Sequence, residues 1–407
     1  MDREFRSRNR NRGAALIVAI FAVTILTALA VAFASIARTD VLLAGNRRAR
    51  MQGMYAARSG VQYCRSLLAA DDPGVDSTQE DWALVQDEAI ALDVPGFTVN
   101  AVVGDESARL NVNTATREML LGLPGMTEEA ADSILDWRDA DDEPKPDGAE
   151  SDYYLSLPSP YEAANGPFET GDELRLVRGV DSKMFEGDGS EEFPGLRNLV
   201  TVRSGEQNVD RQGRRRVNIN TATSGELEAI PLPSTVVQVL RPTRGRRPTI
   251  PTLGAALDIG VPLQVLDRIC VRDYPNDFVE GTVNLNTAGE AVLEAIGLPA
   301  EVAQAIVERR AEQPLETKGD LADIPGVNQE MIRAVADRIA TKSSIFRVTA
   351  WAQAEDRPVV SSVLALLDRG SKPAKIIVWR EEFGRQARPA SSVGQEGQGS
   401  GSKSSGS

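Results

Sequence analysis

The chain has 407 residues, too many for one small core, so more than one is expected. It contains no histidine, which excludes a Ser-His-Asp or Cys-His nucleophile, a His general base and a His-ligated zinc site, and its two cysteines, Cys64 and Cys270, are too few for a disulfide framework. With 45 basic against 59 acidic residues the net charge is −14, which argues against a general nucleic-acid binder and leaves hard cations as candidate ligands.

The first element in chain order is apolar. Residues Ala14–Ala37 form an uncharged run of 24 residues, enough helix to cross a hydrocarbon core of about 30 Å. Arg3, Arg6, Arg8, Arg10 and Arg12 precede it against only Asp2 and Glu4, so the positive-inside rule keeps the N-terminus in the cytoplasm and puts everything after Arg38 outside it. A cleaved secretory signal fits less well, because the apolar stretch is long and its small residues are spread throughout. The helical pattern continues to about Ala70, which predicts one helix running from membrane into water.

Past a polar stretch at 71–80, Gly96–Val103 partly alternates and predicts a strand, with Ala108–Val112 as its hairpin partner. Strand pattern returns at Ile345–Ala354, Val359–Leu367 and Ile376–Trp379, separated by turn signals at Glu355–Pro358 and Arg369–Pro373. The fold class is therefore α+β: a long N-terminal transmembrane helix, a small antiparallel sheet, and a large helical insertion at 113–342 between its strands. The segment 383–407 ends in a Ser/Gly/Gln-rich tail expected to be disordered.

The insertion contains a repeat. Leu110–Ala115, Val217–Ala222 and Val283–Ala288 each run from a strand end into Asn-Thr-Ala, whose side-chain oxygens suit the start of a helix. Thr287 and Glu290 are expected to form a capping box. Leu120, Leu227 and Leu293 follow at one offset, and turns containing Pro124, Pro233 and Pro299 lead to a second helix, as helix-hairpin-helix units do. Units of this kind in competence-type DNA receptors grip phosphate through a Gly-hydrophobic-Gly turn. Here the turns read Gly125-Met126-Thr127, Leu298-Pro299-Ala300 and Gly326-Val327-Asn328, without the second glycine. No nucleic acid is expected as a partner. A membrane-anchored DNA-uptake receptor is the alternative reading, supported best by the basic runs Arg211–Arg216 and Arg241–Arg247.

Between the first two repeats, Asp139, Asp141, Asp142 and Glu143 precede a Pro/Gly-rich turn, and Glu150 and Asp152 follow it. Such a set can offer hard oxygens to Ca²⁺, which takes six to eight at about 2.3–2.6 Å; a solvated acidic loop is the equally open reading. No carboxylate pair is placed for acid–base catalysis, so no enzymatic activity is expected.

Two stretches carry a resemblance. Arg12-Gly13-Ala14-Ala15-Leu16-Ile17 resembles the signal of type IV pilin-like proteins, which implies that a prepilin peptidase cuts after Gly13 and leaves Ala14, methylated, at the mature terminus. Trp137–Pro144, Gly148–Tyr154, Asn165–Thr170 and Glu173–Val180 resemble the minor pseudopilin K family of type II secretion systems, with likeness in order over about 10–382. That resemblance implies a leader at 1–13, a membrane segment at 14–37, a periplasmic helix and first strands of a pilin-like domain at 38–112, the inserted helical domain at 113–342 and the remaining strands at 343–382. It also implies a single-pass inner-membrane protein with a periplasmic C-terminal domain, located at the pseudopilus tip with minor pseudopilins I and J and meeting the major pseudopilin. Calcium in the helical domain follows from it, with Asp139, Asp141, Asp142, Glu150 and Asp152 as candidate ligands. The sequence departs from the pattern in its third Asn-x-Asn-Thr-Ala unit and in Ala14, where most pilins have Phe; the stretch 231–280 has no assigned purpose.

Overall fold

The computed structural model describes residues 2–85, 92–190, 192–241, 249–356 and 358–383; most of the second basic run and the Ser/Gly-rich tail lie outside them. One helix, Asp2–Ala70, runs 69 residues, roughly 100 Å at 1.5 Å per residue. Its two halves differ in what surrounds them. From Leu16 to Leu43 the large apolar side chains are exposed, and the most apolar 18-residue window has mean hydropathy 2.8 with none of it buried. From Ala49 onward a stripe that includes Ala57, Val61, Cys64 and Leu68 is buried against a sheet, the three-and-four spacing of one helix face.

That sheet has four antiparallel strands in the order Phe97–Asp105, Ile345–Ala354, Val360–Asp368, Lys375–Phe383. The register of the first pair runs from Phe97 opposite Ala354 to Asp105 opposite Phe346. The expected hairpin between the first strand and Ala108–Val112 is therefore not formed. After Asp105, whose carboxylate accepts from Ser107 N at 2.7 Å, a 3₁₀ turn at Glu106–Ala108 carries the chain out of the sheet. Leu110–Asn111 then pairs in parallel with Val200–Thr201. Leu110 and Val112 find their burial in a different core, which outweighs the local option of folding back. The last strand extends beyond Trp379 through Arg380, Glu381 and Glu382, polar residues suited to a sheet edge.

Residues 106–344 thus lie between two neighbouring strands and build the second core. Three units compose most of this body, each closed by a two-residue parallel pair: Leu110–Asn111 with Val200–Thr201, Val217–Asn218 with Ile269–Cys270, and Val283–Asn284 with Ile339–Ala340. The stretch 231–280 contains what completes the second unit, including helix Leu253–Asp258 and its closing strand.

The repeated asparagines explain the units' shape. In each, the first Asn accepts from the backbone N–H of the second: Asn111 from Asn113 at 2.9 Å, Asn218 from Asn220 and Asn284 from Asn286 at 3.0 Å. The second Asn both accepts from and donates to the backbone across the unit. Asn113 takes the N–H of Phe168 at 2.8 Å and gives to the carbonyls of Phe168 and Val202. Asn220 does the same with Ile250 and Val271, and Asn286 with Leu315 and Thr341. Only a carboxamide offers both functions. The threonine of the repeat is not the helix cap: the caps are Thr116, Thr223 and Gly289, two residues on. Thr287 forms no capping box with Glu290, because its hydroxyl donates to the buried Asp105 carboxylate at 2.6 Å.

Candidate metal centre

In the first unit, helix Glu128–Arg138 begins at Thr127, whose hydroxyl accepts from Ala130 N, and ends where Arg138 donates to the carbonyls of Val112 and Ala115. Trp137 packs edge-on against Tyr154 at 5.2 Å and stacks with Phe168 at 6.3 Å, pinning the long segment that follows onto the helix. Asp136 precedes that tryptophan and is fully buried. Its carboxylate lies so close to the loop that a Cβ on Gly148 would sit 1.8 Å from Oδ2, which is why a glycine stands there.

Three carboxylates converge at this point. Asp136, Asp139 and Glu150 each offer an oxygen, all within 4.8 Å of one another. Lys145 donates its backbone N–H to Asp136 at 3.1 Å, and its ammonium lies 3.0 Å from Asp136 Oδ1 and 2.7 Å from Asp139 Oδ2. Glu150 is 4% exposed, and neither of its oxygens has a hydrogen-bond partner among the described residues; Asp139 Oδ1 is also buried without one. Burial, with repulsion from Asp136, Asp139, Asp142 and Asp141, pushes Glu150 up to about 7. Unpaired oxygens on a buried carboxylate, facing two others, fit a hard cation.

Of the residues singled out in the sequence, Asp139 and Glu150 are brought together. Asp141 and Asp142 are exposed on the rim, Asp142 accepting from Asn165 Nδ2 at 2.9 Å. Asp152 is exposed in the first turn of helix Ser151–Leu155 and is not among the converging carboxylates. Asp136 takes the place that sequence reading gave to the rim. The signal for it was available: Asp132 and Asp136 stand four apart, on one helix face, just before the acidic run. Gly13 and Ala14 lie within the continuous N-terminal helix, Ala14 exposed.

A second acidic cluster, Asp71, Asp76 and Glu80, was read only as polar chain. It differs from the first in having donors for its carboxylates. Arg369 pairs with Asp71 and Asp76, each at 2.6 Å, Ser343 N donates to Asp76 at 2.7 Å and Trp82 Nε1 donates to Glu80 at 2.7 Å. These bonds tie the segment after the long helix to Ser343, where the inserted body rejoins the sheet, and to Arg369 in the turn after Val360–Asp368.

The basic run Arg211–Arg216 is neutralised. Arg211 pairs with Glu316, Arg214 with Asp210, Arg215 with Asp277 and the buried Arg216 with Glu206.

Residues 96–187 match the family described as type II secretion system protein K, and residues 279–340 match a helix-hairpin-helix motif. The chain is 26% identical to type II secretion system protein K of Pectobacterium carotovorum subsp. carotovorum, over 44% of this chain and 61% of that protein. It is 28% identical to the same protein of Pseudomonas aeruginosa, over 42% of this chain and 58% of that one. The match thus spans about three fifths of the length of these relatives. Among solved structures, a chain of the GspK-GspI-GspJ complex from the enterotoxigenic Escherichia coli type 2 secretion system has the same fold, with TM-score 0.51 and 14% identity over 83% of this chain and 98% of that one. The α+β architecture and the stretch 96–187 agree in this: the chain is similar to type II secretion system protein K in both.

Proposed function

We propose that this chain is a non-enzymatic minor pseudopilin that caps the pseudopilus of a type II secretion system together with minor pseudopilins I and J. The observation that carries this reading is the pairing of one unbroken helix, bare and apolar in its first half, with a head whose sheet is split by a body of three repeats. The bare half suits lateral packing in a membrane and among neighbouring pseudopilin helices; the inserted body adds bulk that obstructs stacking of further copies above it. Val18 points the same way. After cleavage following Gly13 it is the fifth residue, and it has no carboxylate to neutralise a neighbour's N-terminal amine, while Ala14 still offers its own amine to a carboxylate below. Co-expression of the full chain with its system's I and J proteins, extracted in detergent, should yield a complex with one copy of each. Filaments made of this chain alone would overturn the tip position. Mass spectrometry should find a methylated Ala14 at the terminus, the product of prepilin peptidase at the inner membrane; a chain retaining Arg8–Arg12 would overturn the processing.

Within this reading Asp136, Asp139 and Glu150 hold Ca²⁺, with the rim carboxylates Asp141 and Asp142 nearby. Bound calcium would supply two positive charges to a centre in which the chain leaves Glu150 without a partner, and so fasten the segment after Arg138 to its helix. Binding to the folded state raises stability by linkage. A chelator should lower the melting temperature, and Glu150→Ala with Asp136→Ala should remove the difference. The basic run 211–216 gives no support to a DNA receptor here, because its arginines already face carboxylates.

A further inference from the structure

Lys145 is placed differently from any other described lysine. It stands between Pro144 and Pro146, which restrict its backbone from both sides, and its N–H is held by Asp136 at 3.1 Å. Its ammonium bridges Asp136 and Asp139 at 3.0 and 2.7 Å. A cation bound at about 2.3–2.6 Å from each of its oxygens needs them within about 5 Å of one another, and the three carboxylates meet that limit at 4.8 Å. The ammonium is therefore on two of the three carboxylates that a metal ion would use. It brings one positive charge to three carboxylates and makes no contact with Glu150, whose oxygens stay without a partner. The side chain is 33% exposed, so its stem can turn into water while the backbone bond to Asp136 stays.

We propose that Lys145 is a tethered counter-ion that competes with calcium for this centre: the ammonium occupies it when calcium is scarce and leaves for solvent when the divalent ion enters. This rests on the calcium reading above. The exchange is favoured in one direction by the second charge of Ca²⁺ and by pairing of Glu150, and in the other by the lysine's attachment, which keeps its local concentration high at no cost in association. The lysine sets the calcium concentration at which the loop is fastened, above the value that the carboxylates alone would give. It also keeps the buried Asp136 and the half-buried Asp139 compensated in the calcium-free chain.

The test is calorimetric titration of CaCl₂ into the chelator-stripped full chain in detergent, comparing wild type, Lys145→Gln and Lys145→Arg. Lys145→Gln should bind about tenfold more tightly or better, tenfold being about 1.4 kcal/mol, while Lys145→Arg, which keeps the charge, should stay near wild type. Acylation of lysines with an N-hydroxysuccinimide ester, read by mass spectrometry, supplies a measurement on the wild type itself. Labelling of Lys145 should rise when calcium is added, and labelling of the exposed Lys372 and Lys375 should not. Calcium binding by wild type with equal or weaker binding by Lys145→Gln, or with unchanged Lys145 labelling, would overturn the exchange and leave the calcium reading standing. Absence of calcium binding in all three chains would overturn both. Binding by Lys145→Gln alone would be the exchange at its limit and would support it.

Discussion

Glu206 and Glu150 are both buried, at 1% and 4% exposed, yet the chain surrounds them in opposite ways. Glu206 lies on the short strand Gly205–Gln207, which pairs antiparallel with Phe278–Glu280. Arg216 donates to both its oxygens at 2.8 Å, and Lys318 stands at 3.8 Å. Burial alone would raise its pKa, but the charges of Arg216, Lys318 and Lys342 outweigh burial and hold it below the usual carboxylate range. Glu150 has one lysine in its neighbourhood, and that lysine is bound to others. Where the chain brings its own cations, a buried carboxylate is part of the frame. Where it brings too few, the carboxylate is a place for a cation from outside.

The first way to break this contrast is Glu206→Gln. It leaves the buried Arg216 with Asp267, and the buried Lys318 with Asp267 and Asp337, as the remaining acids near them, and removing one partner of a buried pair costs about 3–5 kcal/mol. Urea unfolding should show that loss equally in calcium and in chelator. A loss under about 1 kcal/mol would mean that the cations had been carrying their burial unaided.

The joint at Asp76 lies between the two cases and should give a smaller, pH-dependent effect. Asp71 and Asp76 share one arginine, Arg369, while Glu80 takes a neutral donor from Trp82 and Asp105 takes them from Asn284, Thr287 and Ser343. Burial, against the pull of Arg369 and with repulsion from Asp105, pushes Asp76 up to about 8; burial likewise pushes Glu80 up to about 7. A raised carboxylate means that the folded chain binds the proton more tightly than the unfolded one. The stability so gained is fully present below about pH 4, the unfolded value, and is lost as pH rises through 7 and 8. Melting temperature should therefore fall between pH 6 and pH 9, and Asp76→Asn should flatten the upper part of that fall. A melting temperature that rises over this range would show that Arg369 outweighs burial.

How much of this was legible follows from which contacts are local. Ile345–Ala354 kept its alternation because both neighbours of that strand impose it, and the strand lies where the sequence put it. Ala108–Val112 alternates in the same way, but nothing in five residues says whether the partner lies nearby or ninety residues on at Val200. The repeat was legible because each unit needs a carboxamide at two fixed positions. Its second copy was only half legible, since Thr252, Gly260 and Val261 answer to Thr317, Gly326 and Val327 at different spacings. Asp136 was legible only through its four-residue spacing from Asp132, since its place between Leu135 and Trp137 gives no sign of burial by itself. Asp141 and Asp142, in the most acidic run, are exposed because an acidic run carries no information on which of its members the fold will cover.

The smallest effect sharpens the contrast most, because it has the opposite sign. Glu150→Gln removes a charge that nothing in the chain compensates, so in chelator the variant should be more stable than wild type. The gain should be on the order of 1 kcal/mol, the lower end of what an unsatisfied buried group costs, since the amide keeps the volume but still lacks partners. In calcium the order should reverse, because wild type gains binding free energy that grows with the logarithm of ligand concentration while the variant has lost a ligand. The two melting curves, taken as a function of calcium, should cross. Glu206→Gln has no such crossing, since its centre is filled by Arg216 at every calcium concentration. If Glu150→Gln is destabilised in chelator as Glu206→Gln is, then Glu150 is held by the chain after all and the two centres are of one kind.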